Sequence, residues 1–175
     1  DSSTSRGLGD VYKRQIYTLD LQFSTDVDIS LLISKNHLQK TPDMEYKPVF
    51  FATDGSFYAS SPGYQRPVVV GTGPCGLFAA LTLAQLGLKP LVIERGKAVR
   101  ERTKDTWGFW RKKIFNQESN VQFGEGGAGT FSDGKLWTQT KDKRHLGRKV
   151  MEEMVKGGAP EEILYVSKPH VGTFR

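Results

Sequence analysis

From Ile16 the chain alternates: Tyr17, Leu19, Leu21 and Phe23 are separated by Thr18, Asp20 and Gln22, the period of a half-buried strand. Ser24, Thr25 and Asp26 then offer N-caps for a helix carrying Ile29, Leu32, Ile33 and Leu38 on one face. Thr41 to Tyr64 holds three prolines and two glycines among several aromatics, with no sustained period. It reads as a loop with a short extended segment near Val49 to Ala52 and a linker at Ser60-Ser61-Pro62-Gly63.

The pattern changes after Arg66-Pro67. Val68, Val69 and Val70 are consecutive β-branched residues, as in a parallel strand buried on both faces. Gly71-Thr72-Gly73-Pro74-Cys75-Gly76 follows, then a helix over Leu77 to Leu86 with Gly87 at its C′ position. Leu91 to Ile93 reads as a second buried strand, with Glu94 at its end. The spacing predicts a helix over Thr106 to Phe115, with Trp107, Trp110, Ile114 and Phe115 packed in a core. A glycine-rich loop occupies Phe123 to Leu136. An amphipathic helix follows from Arg144 to Lys156, carrying Leu146, Val150, Met151, Met154 and Val155 and ending at Gly157-Gly158. Pro160 to Glu162 start a short turn before Ile163 to Val166.

Residues 1–15 fit none of this. Ser5 to Gln15 resembles a translated sequencing-adapter tail, which marks 1–15 as non-native and predicts a native chain that begins further upstream. Residues 16–62 then read as the end of a small α+β domain plus linker. Residues 63–175 read as the first part of an α/β domain whose remaining strands lie beyond Arg175.

Composition narrows the function classes. A hydrophobic share of 37% with 25% charged residues suits a globular chain. No run of about 18 apolar residues is present, which argues against a membrane span, and the start lacks a signal-peptide core. Cytoplasmic localisation is therefore expected. Cys75 is the single cysteine and the histidines are His37, His145 and His170, so neither a disulfide nor a metal centre is expected. The net charge of +6 is spread over runs interleaved with acids and apolar residues, a solvated basic face that argues against nucleic acid as partner.

The chemistry concentrates in the β-turn-α-β unit. Gly71 permits the tight turn out of the strand, Gly73 lets backbone approach a pyrophosphate, and Gly76 lets helix and strand pack closely. The helix N-terminus aims N–H groups and its positive dipole end at phosphates. Glu94, eighteen residues after Gly76, is placed to accept hydrogen bonds from adenosine ribose hydroxyls. An acid there disfavours a 2′-phosphate, which leaves FAD or NAD. The loop from Gly124 to Gly134 holds five glycines in eleven residues, as befits backbone lying against a ligand, and favours FAD. Arg95 and Arg102 stay open between a phosphate or adenine contact and a solvated surface.

The segments RPVVVGTGPCGLFAAL, LVIERG, ERTKD, ESNVQFGEGGAGTFSDGKL and GAPEEILYVSKPHVGT, between Arg66 and Thr173, resemble an uncharacterised bacterial family of FAD-dependent dehydrogenases. That family belongs to the glutathione-reductase-like flavoproteins, and the resemblance covers roughly three-fifths of the chain. The stretch from Tyr17 to Leu21 also resembles the end of the family's small N-terminal domain. The resemblance implies an incomplete Rossmann-like FAD-binding domain, with Gly71, Gly73, Pro74, Cys75 and Gly76 at the pyrophosphate and Glu94 at the ribose. It places backbone of Gly126, Gly127, Ala128 and Gly129 near the flavin, with Thr130 and Ser132 as hydrogen-bond donors. Cys75 would contribute packing and a backbone N–H. No catalytic acid or base is assigned, and the substrate and oligomeric state stay open. NAD(P)H is a candidate electron donor or acceptor. The implied function is an FAD-dependent oxidoreductase whose 175-residue piece is inactive alone. An NAD-dependent dehydrogenase and a non-catalytic nucleotide-binding fragment are the alternatives.

Overall fold

The computed structural model describes residues 18–24, 28, 30, 33, 38–48 and 60–172, and the chain divides into two compact units, Asp1–Asp43 and Met44–Arg175. The division falls ahead of the linker at 60–63, which forms a turn closed by Tyr64 N–H donating to the Ser61 carbonyl at 3.1 Å. The tail 1–15 and the extended segment at 49–52 lie outside the described residues.

In the first unit, residues 18–23 form no strand, and Leu19, Leu21 and Phe23 are exposed, contrary to the half-buried strand their alternation predicts. Alternation orders a strand only when a neighbouring strand satisfies its backbone, and no such pairing is present among the described residues. Ser30 and Ile33 are helical as expected, though Ile33 is exposed. The Asp28 carboxylate accepts the Ser30 N–H at 3.1 Å, as an N-cap does.

The second unit is built on two parallel strands, β1 (Val68–Val70) and β2 (Leu91–Ile93), joined by helix α1 (Pro74–Gln85). The register pairs Val68 with Leu91, Val69 with Val92 and Val70 with Ile93. Leu91 N–H to the Pro67 carbonyl at 2.8 Å and Gly71 N–H to the Ile93 carbonyl at 2.7 Å extend the ladder at both ends. Pro74 starts α1, where a missing N–H costs nothing. Gly87, at φ +74°, ends it: its N–H donates to Ala84 and that of Leu88 to Leu83, the paired bonds of a Schellman cap. The connection to β2 is fastened by Tyr64 Oη donating to the Leu88 carbonyl at 2.7 Å. Arg66 adds Nε to the Lys89 carbonyl at 2.6 Å and Nη2 to that of Pro90 at 2.9 Å.

The strands are where expectation said, but they are not buried on both faces. Val69 alone is buried, while Val70 is 81% exposed and Val68, Leu91, Val92 and Ile93 are also exposed. A parallel sheet is covered by layers on both sides, and this two-stranded sheet carries α1 against β1 with nothing else of comparable extent on it among the described residues.

Helix α2 runs Val99–Lys112, starting well before the expected Thr106. Its cap comes from elsewhere: the Glu125 carboxylate accepts the Val99 N–H at 2.8 Å. Lys113, in the left-handed conformation at φ +57°, stops the helix before Ile114 and Phe115. The expected core role of its aromatics is corrected too. Trp107, Trp110, Ile114 and Phe115 are exposed: the two tryptophan rings meet edge-on at 5.3 Å, Arg111 stacks on Trp107, and Phe115 meets the Phe109 ring at 5.7 Å.

Helix α3 (Leu146–Lys156) packs on a 3-10 turn (Glu161–Leu164) whose Ile163 is 1% exposed. Arg148 spans that contact with Nη1 on the Leu164 carbonyl at 3.1 Å. Across to α1, Gln85 Nε2 donates to Glu153 Oε2 at 3.1 Å, and Lys149 Nζ reaches Gln85 Oε1 at 3.1 Å. Lys149 and Lys156 pair with Glu153 at 2.6 and 2.8 Å, and their ammonium groups hold its carboxyl at about 2, below the usual 4.5. Because the folded value is the lower one, this stabilisation is present above about pH 4.5 and is lost as pH falls towards 2. The Glu153→Gln variant should therefore show a shallower fall of Tm between pH 4.5 and pH 2 than the wild type. Parallel Tm profiles over that interval would remove Glu153 as the cause.

Candidate functional site

Three chain segments meet beyond the carboxyl ends of β1 and β2, where open α/β sheets bind ligands. They are the turn at 71–76, the turn at 94–98 and the glycine-rich loop at 116–132.

The first turn obeys its glycines. Gly71 sits at φ +94°, a conformation costly for residues with a Cβ. A Cβ on Gly76 would collide with the Gly71 carbonyl, whose carbon lies 2.9 Å away, so this glycine is where α1 touches the end of β1. Gly73 is the opposite case, with nothing within 4 Å of where its Cβ would be. Pro74 and Cys75 are exposed at the first turn of α1, whose leading N–H groups have no partner inside the helix.

Glu94 ties the first turn to the second. Its Oε2 accepts the Thr72 N–H at 2.7 Å and the Thr72 hydroxyl at 2.8 Å, and its Oε1 accepts the Gly96 N–H at 2.7 Å. Donation from Gly96 and then Thr72 holds the carboxyl below the usual carboxylate range. Glu94 is thus ionised at neutral pH, and three of about four acceptor directions on a carboxylate are filled within the protein.

The loop closes on both turns at backbone distance. Gly126 N–H donates to the Thr72 carbonyl at 2.9 Å, and a Cβ on Gly127 would stand 3.1 Å from Gly73 Cα and 3.2 Å from Pro74 Cδ. Glu125 N–H donates to the Lys97 carbonyl at 3.1 Å, and a Cβ on Gly96 would lie 2.7 Å from the Gly124 nitrogen. The centre of the loop, Gly127–Phe131, is a 3-10 turn. Ala128 and Gly129 lie exposed in it, and Ser132, exposed just after it, donates its hydroxyl to the Gly129 carbonyl at 2.9 Å.

The two arginines that sequence leaves open part company. Arg95 is on the surface, paired with Glu118 at 2.5 Å, its side chain 75% exposed. Arg102 has neither a phosphate-facing nor a solvated position. It is 0% exposed, and its donors go to the loop. Nε and Nη2 reach the Asn120 carbonyl at 3.3 and 2.9 Å, and Nη2 also reaches those of Val121 and Gly127 at 3.2 and 3.0 Å. Nη1 donates to the Glu125 carbonyl and, at 3.2 Å, to Thr130 Oγ1. The guanidinium also stacks 5.0 Å from the Phe131 ring centre. Burial draws its pKa down, and the charges of Glu94 and Glu125 oppose that. The reason for the correction is geometric: α2 starts early enough that position 102 falls on its inward side, under the loop.

Thr130, expected as a donor to a flavin, instead gives its hydroxyl to the Glu125 carbonyl at 3.2 Å. Sequence reasoning missed Thr72, Gly96, Asn120 and Glu125. Gly96, two residues after Glu94, was the available signal. Asn120 carried none, although its Oδ1 accepts the N–H groups of Gln122 and Phe123 at 2.9 and 3.2 Å and shapes the approach to the loop. No group of three or more potential metal ligands exists among the described residues. Among them, no helix is long and apolar enough to cross a membrane.

The chain is 61% identical over 108 residues to an uncharacterized protein of Clostridium beijerinckii, a match that covers 62% of this chain and 20% of that protein. A stretch of 35 residues, 20% of this chain, is 49% identical to bacilliredoxin reductase Bdr of Bacillus subtilis and covers 11% of it. The chain therefore spans about a fifth or less of the length of these relatives. No family model matches the chain.

The glycine geometry separates two substitutions that look alike. Gly76→Ala should cost about 1–3 kcal/mol in chemical denaturation, the usual scale for forcing an atom into a packed contact. Gly73→Ala meets open space, so it should cost less than about 1 kcal/mol, the loss of a glycine N-cap. Equal costs would mean that the tight contact at Gly76 is absent in solution.

Proposed function

We propose that residues 63–175 are the first part of a Rossmann-like dinucleotide-binding domain, and that the chain carries the adenosine-pyrophosphate side of an FAD site in a cytoplasmic oxidoreductase. The observation that supports this best is the docking of the two glycine-rich segments, Gly126 N–H on the Thr72 carbonyl with Gly127 against Gly73 and Pro74. A strand–turn–helix alone would suit any dinucleotide. A second glycine loop laid over the first presents backbone from two sides to one elongated ligand, and the 35-residue match to a reductase points the same way.

The residues present fit the group. Gly73 faces open space beside the N-terminus of α1, where a diphosphate would meet unpaired N–H groups and the helix dipole. Gly127 backs Gly73 and fixes the depth of that opening. Glu94 holds the floor rigid through Thr72 and Gly96, and its carboxylate is the group that would accept a ribose hydroxyl. An anionic Glu94 repels a 2′-phosphate, which favours FAD or NAD over NADP. When bound, FAD would supply the electron transfer, and this chain's part is to bind and orient it. Residues that act on a substrate belong to the remainder of a protein of the relatives' length. NAD in place of FAD is the second reading, supported by Glu94 equally well.

Titration with FAD and with NAD, each followed by tryptophan fluorescence, tests the reading. FAD should bind more tightly than NAD. The Gly73→Val variant should weaken FAD binding by about tenfold or more, a loss of roughly 1.4 kcal/mol, while circular dichroism stays that of the wild type. Tight NAD binding with no FAD binding would replace the proposal by its alternative, and failure to bind either would remove the site.

A further inference from the structure

We propose that Arg102 is a positioning residue: from helix α2, and without touching the ligand, it sets the height of the second glycine-rich loop over the first and thereby the affinity for the dinucleotide. The ligand part of this rests on the dinucleotide reading above, while the clamp itself does not.

Three observations carry it. The guanidinium has five N–H donors in a fixed planar fork. It spreads them over carbonyls at 120, 121, 125 and 127 and the hydroxyl of Thr130, all on one loop. Gly124, at φ +118°, is a glycine because of this arginine: a Cβ there would stand 2.7 Å from Arg102 Nε. And the loop so held is the one whose next residues bond Thr72 and rest on Gly73, so a change in its height reaches the open face of the first turn directly.

Lysine at this position keeps the charge but offers three donors on one point instead of a planar fork. It cannot reach carbonyls on both flanks of the loop together. The charge of the site is unchanged by that swap, so any loss reports geometry. The carbonyl cage also explains why the arginine has no need of a carboxylate in contact: the loop's own carbonyls solvate the cation, and only the loop's native path brings them together.

Hydrogen exchange and FAD titration on Arg102→Lys decide the matter together. Amides at Gly126 and Gly127 should exchange about tenfold faster or more than in the wild type, with those at Gly71 and Leu91 unchanged. The FAD dissociation constant should rise by about tenfold. Unchanged exchange at Gly126 and Gly127 would overturn the clamp. Faster exchange with an unchanged FAD constant would overturn the link to affinity. If the wild type binds no FAD, the dinucleotide reading and the affinity link fail, yet exchange still judges the clamp. Should Arg102→Lys lose its fold by circular dichroism, Thr130→Val removes a single acceptor of the same clamp. It should then raise both the exchange rate at Gly126 and the FAD constant by about threefold, and no change in either would overturn the proposal.

Discussion

A buried positive charge is the constraint on which the site is built. Taking a guanidinium fully out of water is costly unless each of its donors is met. In this chain the donors of Arg102 are met by the carbonyls of one loop and the hydroxyl of Thr130. The dependence runs both ways: the loop needs the cation to hold its carbonyls together, and the cation needs the loop. Everything nearer the open face of the first turn, the Gly126–Thr72 bond and the Gly127–Gly73 contact, is set on top of that pair.

Glu94 plays the complementary part for the first two turns. Its carboxylate joins Thr72 to Gly96 and so makes one surface from two loops that follow different strands. Close backbone approach then does the rest. At Gly76, Gly96, Gly124 and Gly127 the absence of a Cβ is what lets neighbouring segments touch. These glycines serve the protein's own packing, whereas Gly71, Gly73 and Gly129 have nothing within 4 Å of where a Cβ would stand. A glycine-rich sequence near a ligand site is thus mostly an internal device.

Local signals in the sequence located what local chemistry determines. A β-branched run marked β1 and an apolar run marked β2, Gly87 marked the end of α1, and the glycine spacing marked the turn between β1 and α1. What escaped was set by tertiary context. The start of α2 depends on a carboxylate that arrives with Glu125, and no window around Val99 contains it. Arg102 looks in sequence like any arginine in a polar run, and only its position under the loop buries it. Trp107, Trp110 and Phe115 look like core residues by hydrophobicity, but the described structure places no layer over them. The alternation over 18–23 formed no strand for the same reason, a good pattern without a neighbour among the described residues. Whether the turn belongs to a complete doubly wound sheet was never a local question.

The cap that Glu125 places on Val99 has a consequence for how the region assembles. A helix pays most for its first turn, and here a bond that stabilises that turn is delivered from a segment made 26 residues later. Arg102, three residues into the same helix, needs that segment equally. The start of α2 and the glycine loop therefore form and open together as a single cooperative unit. In a chain growing from its N-terminus, this unit waits for the loop to emerge, while α1 with its own Schellman cap does not.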